Sequence, residues 1–137
     1  MNEKGFTLSI RNAIAKKGHW TRVENCAGIG MPDINFFYNK RDIWIEVKVA
    51  KGQRVIFEAS QITWFTRRQI FKGDYLVFVR KNNTMWIARA SSILDKVMWP
   101  NAGGKPWVEL NVLQSNASVI QHKPIDWDIV MDFLKSF

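Results

Sequence analysis

The chain has 137 residues, 47% of them hydrophobic, enough for one domain to bury a core without disulfides. Its longest apolar stretches, such as Tyr75-Leu76-Val77-Phe78-Val79, fall far below the roughly 18 residues of a membrane span, and its single cysteine, Cys26, excludes an internal disulfide. Twenty Lys and Arg against twelve Asp and Glu leave a net charge of +8, a balance that favours a polyanionic partner, nucleic acid first.

Residues 1–6 carry no charged head followed by an apolar run, so nothing marks the chain for export and the cytoplasm is the expected compartment. Phe6, Ile10 and Ile14 recur at helical spacing, with Ala13 on their face, and predict an amphipathic helix over 3–17 that stops near Gly18. A β-prone run, 19–25, enters a loop marked by Gly28, Gly30 and Pro32. Residues 33–38 and 42–49 alternate as strands, and Asn39-Lys40-Arg41 joins them as a hairpin. Beyond the polar loop 51–54, residues 58–71 have helical composition and Gly73 is placed to end the helix. Two further strands, 74–80 and 84–89, flank a Lys81-Asn82-Asn83 turn. A short serine-capped helix is expected over 91–98, a strand over 107–113 and a terminal helix over 125–137. The seven Trp and nine Phe exceed the packing needs of so short a chain, so Trp86, Trp99 and Trp107 are candidates for an interface.

Chemistry concentrates at Pro32-Asp33 and, twelve residues on, Glu46-Val47-Lys48. On a strand, Trp44, Glu46 and Lys48 share one side, and Ile43, Ile45, Val47 and Val49 share the other, which is expected to be the buried one. A hairpin beginning at Asp33 brings that carboxylate beside Glu46. Two carboxylates on fixed backbone match Mg²⁺, which takes oxygen ligands and only one or two protein carboxylates; Mn²⁺ accepts the same donors. Lys48 is then placed to position an attacking water or to neutralise charge on a phosphate. The competing interpretation is structural: Asp33 ends a strand, and Glu46 and Lys48 form a solvated strand face. The two histidines, His19 and His122, have no metal-ligand spacing, which argues against zinc.

Pro32-Asp33 followed by Glu46-x-Lys48 resembles the PD-(D/E)XK nuclease superfamily. The longer run of Arg22-x-Glu24-Asn25, Gly28-x-Gly30-x-Pro32-Asp33, Trp44-Ile45-Glu46-x-Lys48 and Gln61-x-x-Trp64 is similar to the small stand-alone VRR-NUC-type nucleases common in phages. A more distant similarity is to archaeal Holliday junction resolvases. The resemblance spans about 22–64 and thins after residue 90. It implies a single α/β domain over 1–137, a mixed β-sheet flanked by helices with α-β-β-β-α-β core order, restriction-endonuclease-like. The core lies at about 3–90, and 91–137 form a C-terminal extension.

The same resemblance implies Asp33 and Glu46 as metal ligands, the Val47 carbonyl as a third, Lys48 as the catalytic lysine and Gln61 as its helix partner. Glu24 and Glu3 occupy acidic positions that ligate metal in relatives; a salt bridge or a helix-terminal charge explains each as well. Lys51, Arg54, Arg67 and Arg68 are the expected phosphate contacts, extended by Lys16, Lys17 and Arg22. The implied activity is metal-dependent endonucleolytic hydrolysis of DNA, selective for branched substrates such as the four-way junction, by a homodimer, in the host cytoplasm if phage-encoded. The alternatives are a non-catalytic nucleic-acid-binding module and a nuclease without junction selectivity.

Overall fold

Asn2 starts the first helix by accepting a hydrogen bond from the Gly5 backbone, as a side-chain cap does. The computed structural model describes residues 2–23 and 30–137. Helix α1 (Glu3–Ile14) buries Phe6, Ile10 and Ile14 and runs through a 3-10 turn to Gly18. Strands β1 (His19–Arg22), β2 (Ile34–Tyr38) and β3 (Arg41–Val49) follow, then a short β4 (Arg54–Ile56), helix α2 (Ala59–Ile70) and the hairpin β5 (Leu76–Lys81) and β6 (Thr84–Arg89). The last third adds α3 (Ala90–Ile93), β7 (Trp107–Glu109), α4 (Leu110–Asn116), β8 (Val119–His122) and α5 (Trp127–Ser136).

Six strands form one mixed sheet in the order β1-β2-β3-β5-β6-β8, in which only β3 and β5 pair in parallel. The parallel pair requires a crossover, and β4 with α2 supplies it. The β2–β3 connection is a two-residue turn in which Asn39 and Lys40 both have positive φ (52° and 63°), the geometry whose twist suits a tight hairpin. Arg41, the first residue after the turn, donates to the carbonyls of Lys135 and Phe137 and so fastens the end of α5 to this hairpin.

Both faces of the sheet are covered. On one, Ile43, Ile45 and Val47 pack with α1 and α5 through Phe6, Ile10, Val130 and Leu134. On the other, Val77, Val79 and Trp86 pack with Phe57, Ile62 and Phe65 and with Val108 and Leu110 from beyond residue 100. The second cover departs from expectation: the face carrying Trp44, Glu46 and Lys48 is buried like its apolar opposite. Residues 107–113 are not one strand. β7 pairs with β4 in a separate two-stranded sheet, and the chain turns helical at Leu110. Ser91 lies inside α3 rather than capping it and binds Asp74 through its backbone and hydroxyl. Trp86 belongs to the core, whereas Trp99 is exposed. Among the described residues no helix is long and apolar enough to cross a membrane.

Candidate active site

The β2–β3 ladder pairs Ile34 with Ile45, so Asp33 stands one step beyond the last pair, opposite Glu46. Its carbonyl accepts from the Val23 N–H at 2.7 Å, holding the approach to β2 against the end of β1. Upstream, Gly30 has φ +73°, and a Cβ there would lie 2.0 Å from the Ser60 carbonyl oxygen and 2.6 Å from the Gln61 nitrogen. The Gly-x-Pro-Asp segment therefore rests its backbone on the first turn of α2, a contact only glycine permits. We expect Gly30→Ala to lower stability by about 3 kcal/mol through clash and backbone strain. Denaturant unfolding checks this; an unchanged midpoint would rule out the close approach.

Helix α2 starts with a capping box. Glu58 is the cap residue, and its backbone N–H donates to Gln61 Oε1 at 2.8 Å. The same oxygen accepts from Lys48 Nζ at 3.0 Å, while Gln61 Nε2 donates to Glu46 Oε2 at 3.0 Å. One amide thus bridges an ammonium and a carboxylate that stand two residues apart on β3. All three side chains are buried, Glu46 to 2% exposure and Lys48 and Gln61 to 8% each. Lys48 Nζ also lies 4.9 Å from the centre of the Phe57 ring, whose face attracts a cation. Tyr75 packs beneath, edge-on to Trp64 and Phe65, and burial, reinforced by Glu46, pushes its phenol far above the ordinary range.

Burial also holds the Glu46 carboxyl well above the usual carboxylate range. Lys48 opposes this rise, while the charge of Asp33, a hydrogen bond with Asp33 and the more distant charge of Glu3 add to it. Two carboxyl groups side by side, one of them buried, are a donor set that a divalent cation would suit, because the ion can offset the charge of both. Among the described residues no three His, Cys, Asp or Glu converge on one point. The Asp33–Glu46 pair is the acidic pair at this site, a number of carboxylates that a divalent cation such as Mg²⁺ can use.

The other predicted residues distribute unevenly. Glu3 and Lys48 line one open hollow together with Asn2, Lys51, Glu58 and Lys105. Val47 buries its side chain on the opposite face, leaving its backbone carbonyl as the oxygen it can offer. Glu24 lies outside the described residues. Arg54 stacks on Trp107 at 4.0 Å. Arg67 and Arg68 border a separate hollow with Phe71 and Gly73 toward the far end of α2, and Arg68 is held against Trp44 and Trp64. Sequence patterns missed Lys105, which lines the hollow and pairs with Glu58 at 2.6 Å. Its signal was faint, a lone lysine after the Gly103-Gly104 loop.

No family model matches the sequence, and no curated protein does. Among solved structures, the Holliday junction resolvase Hjc of Archaeoglobus fulgidus superposes with a TM-score of 0.57 at 15% identity, over 82% of this chain and 93% of that one. The chain has the fold of a Holliday junction resolvase. It is the single α/β domain, with a mixed sheet between helices, that the motifs imply. In this resolvase fold Glu46 and Lys48 lie on the parallel-paired central strand β3, and Gln61 reaches them from the crossover helix.

Proposed function

We propose that the protein is a divalent-cation-dependent endonuclease that hydrolyses phosphodiester bonds in branched DNA, the four-way junction first. The observation that carries this is the buried Lys48–Gln61–Glu46 chain beside Asp33, in a protein of net charge +8. A surface built only to bind nucleic acid has no use for carboxylates that repel phosphate, least of all buried ones. Asp33 and Glu46 would hold Mg²⁺, or Mn²⁺ in its place, with Glu3, Glu24 and the Val47 carbonyl as the remaining candidate ligands. Held there, such an ion would supply charge neutralisation at the phosphate and a water of lowered pKa.

The protein's own groups do the rest. Gln61 fixes the ammonium of Lys48 at the floor of the hollow, where it can meet the oxygens of a phosphate as negative charge grows on them. Lys51 and Lys105 at the rim, and Arg54 beyond it, favour an incoming backbone; Arg67 and Arg68 are placed for more distant contacts. A resolvase fold supports a branched substrate. Cutting two strands with one site per chain calls for a two-fold homodimer.

The test is cleavage of a labelled four-way junction and of a linear duplex with the same arm sequences, in Mg²⁺, with Asp33→Asn alongside. Paired nicks near the branch point are expected, absent from the duplex and from the variant. Equal cutting of both DNAs would remove the junction preference, and binding without cutting in Mg²⁺ or Mn²⁺ would overturn the enzyme in favour of a binding module.

A further inference from the structure

Next to the candidate site lies a second hollow that the chemistry above does not use. It has a volume of about 640 Å³ and lies between one flank of α1 and the edge strand β1. That volume is in the range that holds a small organic ligand, roughly 300–1,000 Å³. Lys4, Thr7, Leu8 and Arg11 line its helical wall, one stripe at i, i+3, i+4 and i+7, apart from the Phe6, Ile10 and Ile14 stripe that enters the core. Trp20 and Arg22, two apart on β1 and so on one face of the strand, line the other wall.

Three cations and no carboxylate border this hollow among the described residues, in contrast to the acidic centre nearby. Two of its apolar groups remain available: Leu8 is 52% exposed, and Trp20 is only partly buried, backed by the Phe36 ring at 6.1 Å. The hollow shares a bordering residue with each of two neighbours. Asn2 borders both it and the hollow that contains Lys48, and Arg11 borders both it and a further hollow at Lys16.

We infer that the α1–β1 groove is a subsite for an unpaired DNA strand, with Trp20 as the platform on which a base stacks and Lys4, Arg11 and Arg22 as its phosphate contacts. Charge complementarity selects a polyanion. The aromatic face selects the unpaired form, because in a duplex the bases already stack on one another and present only their edges to a groove. Because Asn2 borders both hollows, a strand unpaired at the branch point, whether a flap or a junction arm opened at the crossover, would lie in the groove while the adjoining phosphate reaches Asp33 and Glu46. The placement at the cut depends on the nuclease function proposed above; the strand binding does not.

The test is fluorescence anisotropy of the protein with a short labelled oligothymidylate and with a labelled blunt duplex, in chelator, so that cleavage plays no part. Trp20→Leu is expected to weaken binding of the single strand about tenfold and to change duplex binding by less than about twofold, and Trp20→Phe to recover most of the loss. Arg11→Gln with Arg22→Gln is expected to flatten the salt dependence of single-strand binding by about 1.4 in log–log slope, two phosphate contacts' worth. Equal loss on both DNAs, loss on neither, or an unchanged salt slope in the arginine pair would overturn the subsite. If Trp20→Leu fails to fold, the arginine pair and Trp20→Phe still decide it. Junction cleavage by the wild type with no Trp20-dependent strand binding would remove the groove and leave the nuclease. Trp20-dependent binding without cleavage would do the reverse.

Discussion

Glu46→Gln is expected to make the metal-free protein more stable at pH 7 and above while reducing cleavage about a thousandfold or more. The two effects share one cause. Glu46 is buried beside Asp33, with its folded-state pKa raised by burial and by like charge. A raised carboxyl pKa contributes stability that is fully present below the unfolded value, about 4.3, and is lost as pH rises through the folded value. At neutral pH the wild type therefore holds a group whose ionisation is opposed by the fold, and the amide removes that opposition. Its carbonyl can still accept the hydrogen bond from Gln61 Nε2. A gain of about 1–3 kcal/mol, several degrees in thermal midpoint, is expected. With Asp33 and Glu46 as the proposed ligands, Mg²⁺ should reverse the order, stabilising the wild type and leaving the variant nearly unmoved. Thermal melts of both proteins across pH, with chelator and with Mg²⁺, check this. A Glu46→Gln protein less stable than wild type in chelator at pH 8 would refute the electrostatic account.

Gln61→Leu is expected to cost about 2–4 kcal/mol of stability and about a hundredfold in cleavage. The leucine is close in size but leaves three groups without their partner: the Lys48 ammonium, a Glu46 oxygen and the Glu58 N–H that opens α2. Gln61→Glu separates these roles. Its carboxylate still accepts from Lys48 and from the Glu58 N–H, so the helix start survives. It cannot donate to Glu46 and places another negative charge against it, so cleavage should fall as far as in the leucine variant while less stability is lost. Denaturant unfolding and junction cleavage of the two variants check this. Equal stability in both would mean that the capping oxygen contributes nothing.

The sheet strands 34–38 and 41–49 and helix 59–70 were legible because their periods of two and of about 3.6 are strong, and because Asn39-Lys40 can take the two positive φ values that a tight turn needs. The same period set Glu46 and Lys48 on one side of β3. Their burial was not legible, since it depends on a cover built from Phe57, Val108 and Leu110, distant in sequence. The alternation of apolar and polar residues from Val108 to Val112 reads as a strand, yet Leu110 and Leu113 also stand at helical spacing, and tertiary packing chose the helix from Leu110 onward. β4 and β8 are too short to carry a pattern of their own. The expected pairing of Gln61 with Lys48 is present as a hydrogen bond. Arg68 reads as a phosphate contact from charge alone, and only its ring neighbours, Trp44 and Trp64, place it in packing.

The Asn39-Lys40 turn lies at the opposite end of β2 and β3 from Asp33 and Glu46, exposed and polar, the kind of site where an inserted residue is ordinarily harmless. Here it acts as the counter that keeps the two strands in step. Adding one residue would shift the pairing by one, and because a strand alternates faces, Asp33 would then meet a side chain from the wrong side of β3. Engineering or natural variation should therefore tolerate many substitutions at this turn but very few changes of length.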